Sequence, residues 1–106
     1  MKVVVGLPDG SAHEVPVRPG ASIMESIRNA GLPIRAECGG AMACATCHVH
    51  LGATWLDRVG PALGDEFDLL DMSDYRAEGS RLCCQIQPEP ALDGLRVELQ
   101  LDAYEG

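Results

Sequence analysis

Aromatic residues are nearly absent, with one Trp, two Tyr and one Phe in 106 residues. Any packed interior must therefore be aliphatic, and the length allows one modest core. Basic residues are scarce as well: eight Lys and Arg stand against sixteen Asp and Glu, for a formal net charge of −8. That balance argues against nucleic acid as a partner and for a basic protein surface. No apolar run approaches the roughly 20 residues of a membrane span. The opening Met1-Lys2-Val3-Val4-Val5-Gly6-Leu7 is too short for the core of a signal peptide and has no small-residue cleavage site behind it. The expectation is a soluble, cytoplasmic monomer with no membrane partner. There is no internal repeat, no G-x-G-x-x-G phosphate cradle, and no nucleophile with its base or acid–base pair, so the chain alone does not read as an enzyme.

Cysteine is what the chain does have. Five cysteines, an odd number without a secretion signal, argue against a disulfide framework and for metal or redox use. Three of them lie in Cys38-Gly39-Gly40-Ala41-Met42-Ala43-Cys44-Ala45-Thr46-Cys47, spaced C-x5-C-x2-C, and the other two, Cys83-Cys84, follow a long gap. Structural zinc is one reading, but four-cysteine zinc sites usually present two close C-x2-C-like pairs, and this chain has one. A Rieske centre needs two histidine ligands, and only His48 follows a cysteine. Iron–sulfur clusters take four thiolates, which in the plant-type arrangement come as three on one loop and one far downstream. Such a cluster is negative and needs backbone N–H groups close to its sulfurs, an approach that Gly39, Gly40, Ala41, Ala43 and Ala45 permit. The Thr46 hydroxyl could add a donor or satisfy its own backbone.

Along the chain, Val3, Val5 and Leu7 alternate before Pro8-Asp9-Gly10-Ser11, and Val15 and Val17 continue after it, so residues 2–17 read as a β-hairpin with Pro16 at an edge. Ser22-x-x-Glu25 is a capping box ahead of Ile23, Met24, Ile27 and Ala30 at helical spacing, and Gly31 and Pro33 stop that helix. After the cysteine loop, His48 to Leu51 reads as a short strand. Ala53 to Val59 reads as a helical turn burying Trp55, Leu56 and Val59, and Asp65 to Tyr75 as a further helix. The segment Arg81 to Gln87 reads as a strand, Asp93-Gly94 as a tight turn, and Leu95, Val97 and Leu99 as a last strand. Neighbouring strand residues face opposite sides, so Cys83 and Cys84 cannot both point at one cluster. Leu82, Cys84 and Ile86 share the apolar face, which selects Cys84 as the ligand and leaves Cys83 as a free thiol near the surface, open to oxidation. From the residues alone this is a small α+β domain.

The five-residue first gap, the Cys47-His48 pair and Arg81-Leu82-Cys83-Cys84-Gln85-Ile86 together resemble the adrenodoxin/putidaredoxin family of 2Fe-2S ferredoxins, and the resemblance covers essentially the whole chain. It implies an α+β, β-grasp (ubiquitin-like) ferredoxin fold with an inserted cluster-binding loop, as a single domain over residues 1–106. It implies one 2Fe-2S cluster, with Cys38 and Cys44 on one iron and Cys47 and Cys84 on the other, the last ligand preceding the Gln-Ile pair. Four thiolates around an oxidised cluster would add roughly −2 to the charge. His48 would tie the cluster loop to the rest of the fold by a hydrogen bond, whereas His13 and His50 read as surface residues.

The implied function is one-electron transfer. An FAD-dependent NAD(P)H ferredoxin reductase would reduce the cluster, which would pass electrons to a terminal oxygenase, either a cytochrome P-450 monooxygenase or an aromatic-ring-hydroxylating dioxygenase. The alternative is a ferredoxin of iron–sulfur cluster assembly; Arg81-Leu82-Cys83-Cys84 and Leu92-Asp93-Gly94 resemble the oxygenase branch more closely. Between Asp57 and Glu78 the chain concentrates seven acids against Arg58 and Arg76. Asp65 and Glu66 could simply favour the positive N-terminus of a helix within a solvated face. In the family reading, Asp65, Glu66, Asp68 and Asp71 occupy the acidic recognition helix that binds basic patches on reductase and oxidase. A helical wheel favours the second, since it sets Phe67 and Leu70 on one side and Leu69 and Met72 among the acids. Gly64 stands where some relatives carry a further acid. The tail Gln100 to Gly106 reads as mobile, and because putidaredoxin-like members use a C-terminal aromatic residue to bind the oxidase, Tyr104 is a further partner-binding candidate.

Overall fold

The computed structural model describes residues 1–35 and 46–105. Its strands are β1 (Lys2–Gly6), β2 (Ala12–Pro16), β3 (His48–His50), β4 (Ser80–Leu82) and β5 (Leu95–Leu99); its helices are α1 (Ile23–Asn29), α2 (Ala53–Val59) and α3 (Asp65–Asp71). Three short 3-10 turns follow β4, precede β5 and close the chain, at Cys83–Gln85, Pro90–Leu92 and Leu101–Ala103. The strands form one mixed sheet in the order β2-β1-β5-β3-β4, with β1 and β5 parallel and the other neighbours antiparallel. This is the β-grasp arrangement: an opening hairpin, a helix laid against the sheet, and the last strand returning to the centre beside the first.

The local signals in the sequence explain most of these elements. Val3 and Val5 point into the core while Lys2 stays outside, and β5 alternates in the same way, with Leu95, Val97 and Leu99 buried. Pro16 lies on the edge strand, where its missing N–H costs no ladder bond. The capping box is complete: the Ser22 hydroxyl accepts from the Glu25 N–H at 3.2 Å and the Glu25 carboxylate accepts from the Ser22 N–H at 3.1 Å. It sets α1 so that Ile23, Met24 and Ile27 are all fully buried, and the Ile23 N–H reaches the Ile86 carbonyl at 3.1 Å. Gly79 is required by contact: a Cβ there would run into the Leu51 carbonyl, whose own N–H donates to Gly79 O at 2.8 Å.

Four expectations change. The strand expected over Arg81 to Gln87 ends at Leu82, and the chain then turns through Cys83–Gln85. The helix expected to reach Tyr75 ends at Asp71, and Trp55 is only half-buried, with the Arg58 guanidinium 5.2 Å from its ring centroid. The expected mobile tail is docked. Ala103 is fully buried, Tyr104 bridges Ile34, and the Glu105 N–H donates to Pro33 O at 2.8 Å. The segment after the final strand runs beside residues 33–35, and the bonds between them satisfy backbone groups on both segments.

Ser22→Ala should remove the reciprocal cap and cost about 1 kcal/mol, on the order of 4 °C in melting temperature. Thermal unfolding followed by far-UV circular dichroism measures this, and an unchanged midpoint would show that tertiary packing alone sets the start of α1.

Candidate metal centre

The pairing of β3 with β4 builds the described part of the site. His48 stands opposite Leu82, so Cys47, just before β3, and Cys83, just after β4, meet at the same end of the pair, where the Cys83 N–H donates to Cys47 O at 3.0 Å. The turn then brings Cys84 over, and its Sγ lies 3.3 Å from Cys47 Sγ. This is far longer than a disulfide bond of about 2.05 Å. It is close to the separation of about 3.8 Å expected for two thiolates on one tetrahedral metal with bonds of about 2.3 Å. The Gln85 side-chain N–H points at Cys84 Sγ from 3.4 Å and would stabilise negative charge on that sulfur.

Cys83 corrects the sequence reading. It is fully buried, not near the surface. A 3-10 turn advances about 120° per residue, so the strict two-sided alternation of a strand does not apply and both neighbouring thiols turn inward. Contact with Cys83, reinforced by burial, holds the Cys47 thiol far above the ordinary thiol range, while contact with Cys84 acts in the opposite sense. Thiolates this close repel one another, and a bound cation would offset that repulsion. Cys38 and Cys44 lie outside the described residues, and among the described residues no group of three or more His, Cys, Asp or Glu is arranged around a common metal position.

His48 is completely buried and held at both ring nitrogens. Nδ1 lies 3.1 Å from both oxygens of Asp102, and Nε2 lies 2.7 Å from the Ser80 hydroxyl. Ser80 Oγ accepts from the Ala77 N–H at 2.9 Å, which leaves its own proton for Nε2, so a neutral ring with the proton on Nδ1 satisfies every partner. Burial pushes the imidazole below the usual histidine range, and Asp102 opposes this only in part. The Ser73 hydroxyl donates to Asp102 at 2.5 Å and accepts from the Tyr75 N–H. The residue after Cys47 is thereby tied to the α3–β4 connection and to the C-terminal turn. Asp102, Ser73 and Ser80 carried no signal in the sequence, because each is far from His48 along the chain. His13 is exposed as expected, and His50 is half-buried with Nε2 2.9 Å from Tyr75 O.

On α3 the acids separate. Asp65, Asp68 and Asp71 are exposed, but Glu66, expected at the partner surface, is buried. Its carboxylate accepts from Arg81 Nε at 2.6 Å, Arg81 Nη2 at 3.2 Å and the Leu82 N–H at 2.9 Å. Arg81 also donates to Gly60 O at 2.7 Å. Glu66 and Leu70, four residues apart, share the inward face. Phe67, placed inward by the helical wheel, is exposed beneath the Arg76 guanidinium at 4.5 Å, and Leu69 packs partly against the core. Met72 is exposed as expected, with Leu63 nearby in sequence also largely exposed. Tyr104 is half-buried, so the flexible ring expected of a loose tail is a fixed one.

Residues 7–89 match the family model described as a 2Fe-2S iron–sulfur cluster binding domain. Ferredoxin CarAc of a Sphingomonas species is 44% identical over 100 residues, covering 93% of this chain and 92% of that protein. Putidaredoxin of Pseudomonas putida is 38% identical over 100 residues, covering 92% and 94%. This chain belongs to the adrenodoxin/putidaredoxin-type 2Fe-2S ferredoxins. Among solved structures, a ferredoxin from Rhodopseudomonas palustris HaA2 superposes with a TM-score of 0.89 at 40% identity, covering 97% of this chain and 99% of that one. The putidaredoxin in a covalent complex of putidaredoxin reductase and putidaredoxin superposes with a TM-score of 0.87 at 37% identity, covering 93% and 97%. The ferredoxin therefore carries a single 2Fe-2S cluster and serves as an electron carrier, not an enzyme. Among its described residues no helix is long and apolar enough to cross a membrane.

Replacing Glu66 by Ala should leave the Arg81 guanidinium buried without its partner and cost about 3–5 kcal/mol. Asp68→Ala, on the solvent side of the same helix, should cost less than about 1 kcal/mol. Urea unfolding of the two variants side by side measures the difference, and equal losses would place Glu66 outside the core.

Proposed function

We propose that this ferredoxin holds its cluster through Cys38, Cys44, Cys47 and Cys84. It carries single electrons from an FAD-dependent NAD(P)H ferredoxin reductase to a terminal oxygenase, with a cytochrome P-450 monooxygenase as the first choice and an aromatic-ring-hydroxylating dioxygenase as the second. It does so as a monomeric, single-domain cytoplasmic protein. The observation that carries the ligand set is the buried approach of Cys47 to Cys84 at 3.3 Å, which brings one thiol from each of the two separate cysteine motifs together. When bound, the cluster supplies the one-electron couple. The chain supplies two protein thiols in a dry setting, an amide N–H aimed at one of them from Gln85, and a fixed backbone around both.

Docking is assigned to Asp65, Asp68 and Asp71, exposed on α3, with Met72 as an apolar contact among them. A basic surface on the reductase complements them, and the putidaredoxin solved with its reductase supports a reductase as the electron donor. Tyr104, half-buried and with its backbone bridged to Ile34, is assigned to the oxygenase contact.

Two experiments test this reading. Serine in place of Cys38, Cys44, Cys47 or Cys84 should each abolish or severely destabilise the red-brown cluster, whereas Cys83→Ser should keep it. Cluster loss from Cys83→Ser together with retention in Cys84→Ser would overturn the ligand set. The double reversal Asp68→Lys and Asp71→Lys should slow reduction by the reductase and flatten its dependence on ionic strength, because charges within a Debye length steer encounter. Unchanged rates across a salt series would mean that these acids form only a solvated face.

A further inference from the structure

We propose that the C-terminal segment Gln100–Glu105 is a clasp that holds both ends of the cysteine loop, and that Asp102 is its positioning residue. The chain leaves Arg35, passes through residues 36–45 and returns at Thr46. On the outgoing side the Arg35 N–H donates to Ala103 O at 2.8 Å, the Glu105 N–H donates to Pro33 O at 2.8 Å, and Ile34 and Tyr104 form an antiparallel bridge. On the returning side the Gln100 N–H donates to His48 O at 3.0 Å, and the Asp102 carboxylate faces His48 Nδ1 at 3.1 Å from each oxygen. Ala103, between these two sets of contacts, is fully buried and pins the segment to the core. Six residues at the end of the chain thus tie together two stations that lie 13 positions apart in sequence, on either side of Cys38, Cys44 and Cys47.

The physical consequence concerns entropy and access. Fixing the ends of a segment lowers the freedom its interior must lose when it wraps a ligand, so that cost falls on the scaffold before the cluster is bound. Asp102 acts through His48: the carboxylate fixes the ring, the ring is the residue next to Cys47, and Ser73 fixes the carboxylate in turn. Without that carboxylate the returning end keeps its backbone bond to Gln100 but loses its side-chain anchor. Cys47 then wanders against Cys84, and water and chelators gain a path to the bound iron.

The inference rests on the proposed ligand role of Cys47, and the experiment separates the two. Holoprotein variants Asp102→Ala and Asp102→Asn are compared with Val15→Ala, a core truncation in the edge strand on the far side of the sheet. The readouts are the rate of cluster loss to a fixed concentration of an iron chelator, followed in visible absorption, and the visible circular dichroism of the cluster. Asp102→Ala should lose its cluster roughly 5- to 30-fold faster with altered visible dichroism. Asp102→Asn keeps an acceptor oxygen and should stay within about twofold of the parent. Val15→Ala should lower the melting temperature while leaving the dichroism unchanged. Parent-like dichroism and a loss rate in Asp102→Ala no faster than in Val15→Ala would overturn the clasp. Should Asp102→Ala yield no holoprotein, Ser73→Ala decides: about fivefold faster loss is expected, and a rate within about twofold of the parent would overturn it. All of these variants retain the five cysteines, so cluster retention in Cys47→Ser would overturn the ligand set without changing what the Asp102 series reports.

Discussion

The centre depends on three antiparallel residue pairs, His48 with Leu82, Val49 with Arg81 and His50 with Ser80. Only in that register do the residue before β3 and the residue after β4 meet, and those residues are Cys47 and Cys83. A shift of one position would move every side chain of β4 to the opposite face and carry Cys84 away from Cys47. Yet a three-residue pair with β4 at the sheet edge is weak by itself. Its partner on the other side, β5, pairs with Val49 and His50 but not with β4. The register must therefore be fixed by side chains.

Two buried polar networks do this, one on each strand. On β4, Arg81 enters the interior and meets Glu66, whose second task is to accept the N–H of Leu82. On β3, His48 enters the interior and meets Ser80 diagonally across the pair, then Asp102 behind it. An apolar pair would fill the Glu66–Arg81 volume at no desolvation cost. It would not penalise slippage, whereas here a slip of one residue strands a guanidinium and a carboxylate in the core. The networks are complete in this sense: among the described residues no buried side-chain nitrogen or oxygen lacks a hydrogen-bond partner. A satisfied network rigidifies its surroundings, which suits a site whose sulfur positions must not drift.

What could be read from the sequence follows the range of the interaction. The opening hairpin, the Ser22–Glu25 cap, the turn at Asp93-Gly94 and the alternation of β5 rest on contacts a few residues apart, and all were legible. The cysteine spacing was legible for the same reason, and its resemblance to a ferredoxin family supplied the fold that the residues alone left as α+β. The failures come where a partner lies far along the chain. Glu66 looks like Asp65 and Asp68 until Arg81 is placed beneath it, 15 positions away. Asp102 looks like one more acid in a loose tail until His48 is placed beside it, 54 positions away. Cys83 misled for a different reason. The run Leu82-Cys83-Cys84 has no polar residue to mark a period, so nothing in the sequence shows where strand alternation gives way to the turn that buries both thiols.

The two faces of α3 show how one short helix keeps some of its carboxylates in water and another in the interior. Glu66 and Leu70 point inward at helical spacing, while Asp65, Asp68 and Asp71 remain in water one or two positions away. Charge used for steering must be exposed to reach across solvent, and charge used for positioning must be buried and paired, so one carboxylate cannot do both. The helix divides them. Its inner carboxylate holds the backbone two residues before Cys84, and its outer carboxylates lie less than two helical turns away along the same rigid rod. Under the docking proposed above, a partner on the outer face would lie on the same helix whose inner carboxylate holds the backbone beside Cys84. That arrangement suits one-electron transfer, which needs proximity and a low reorganisation cost and makes no covalent bond to the partner.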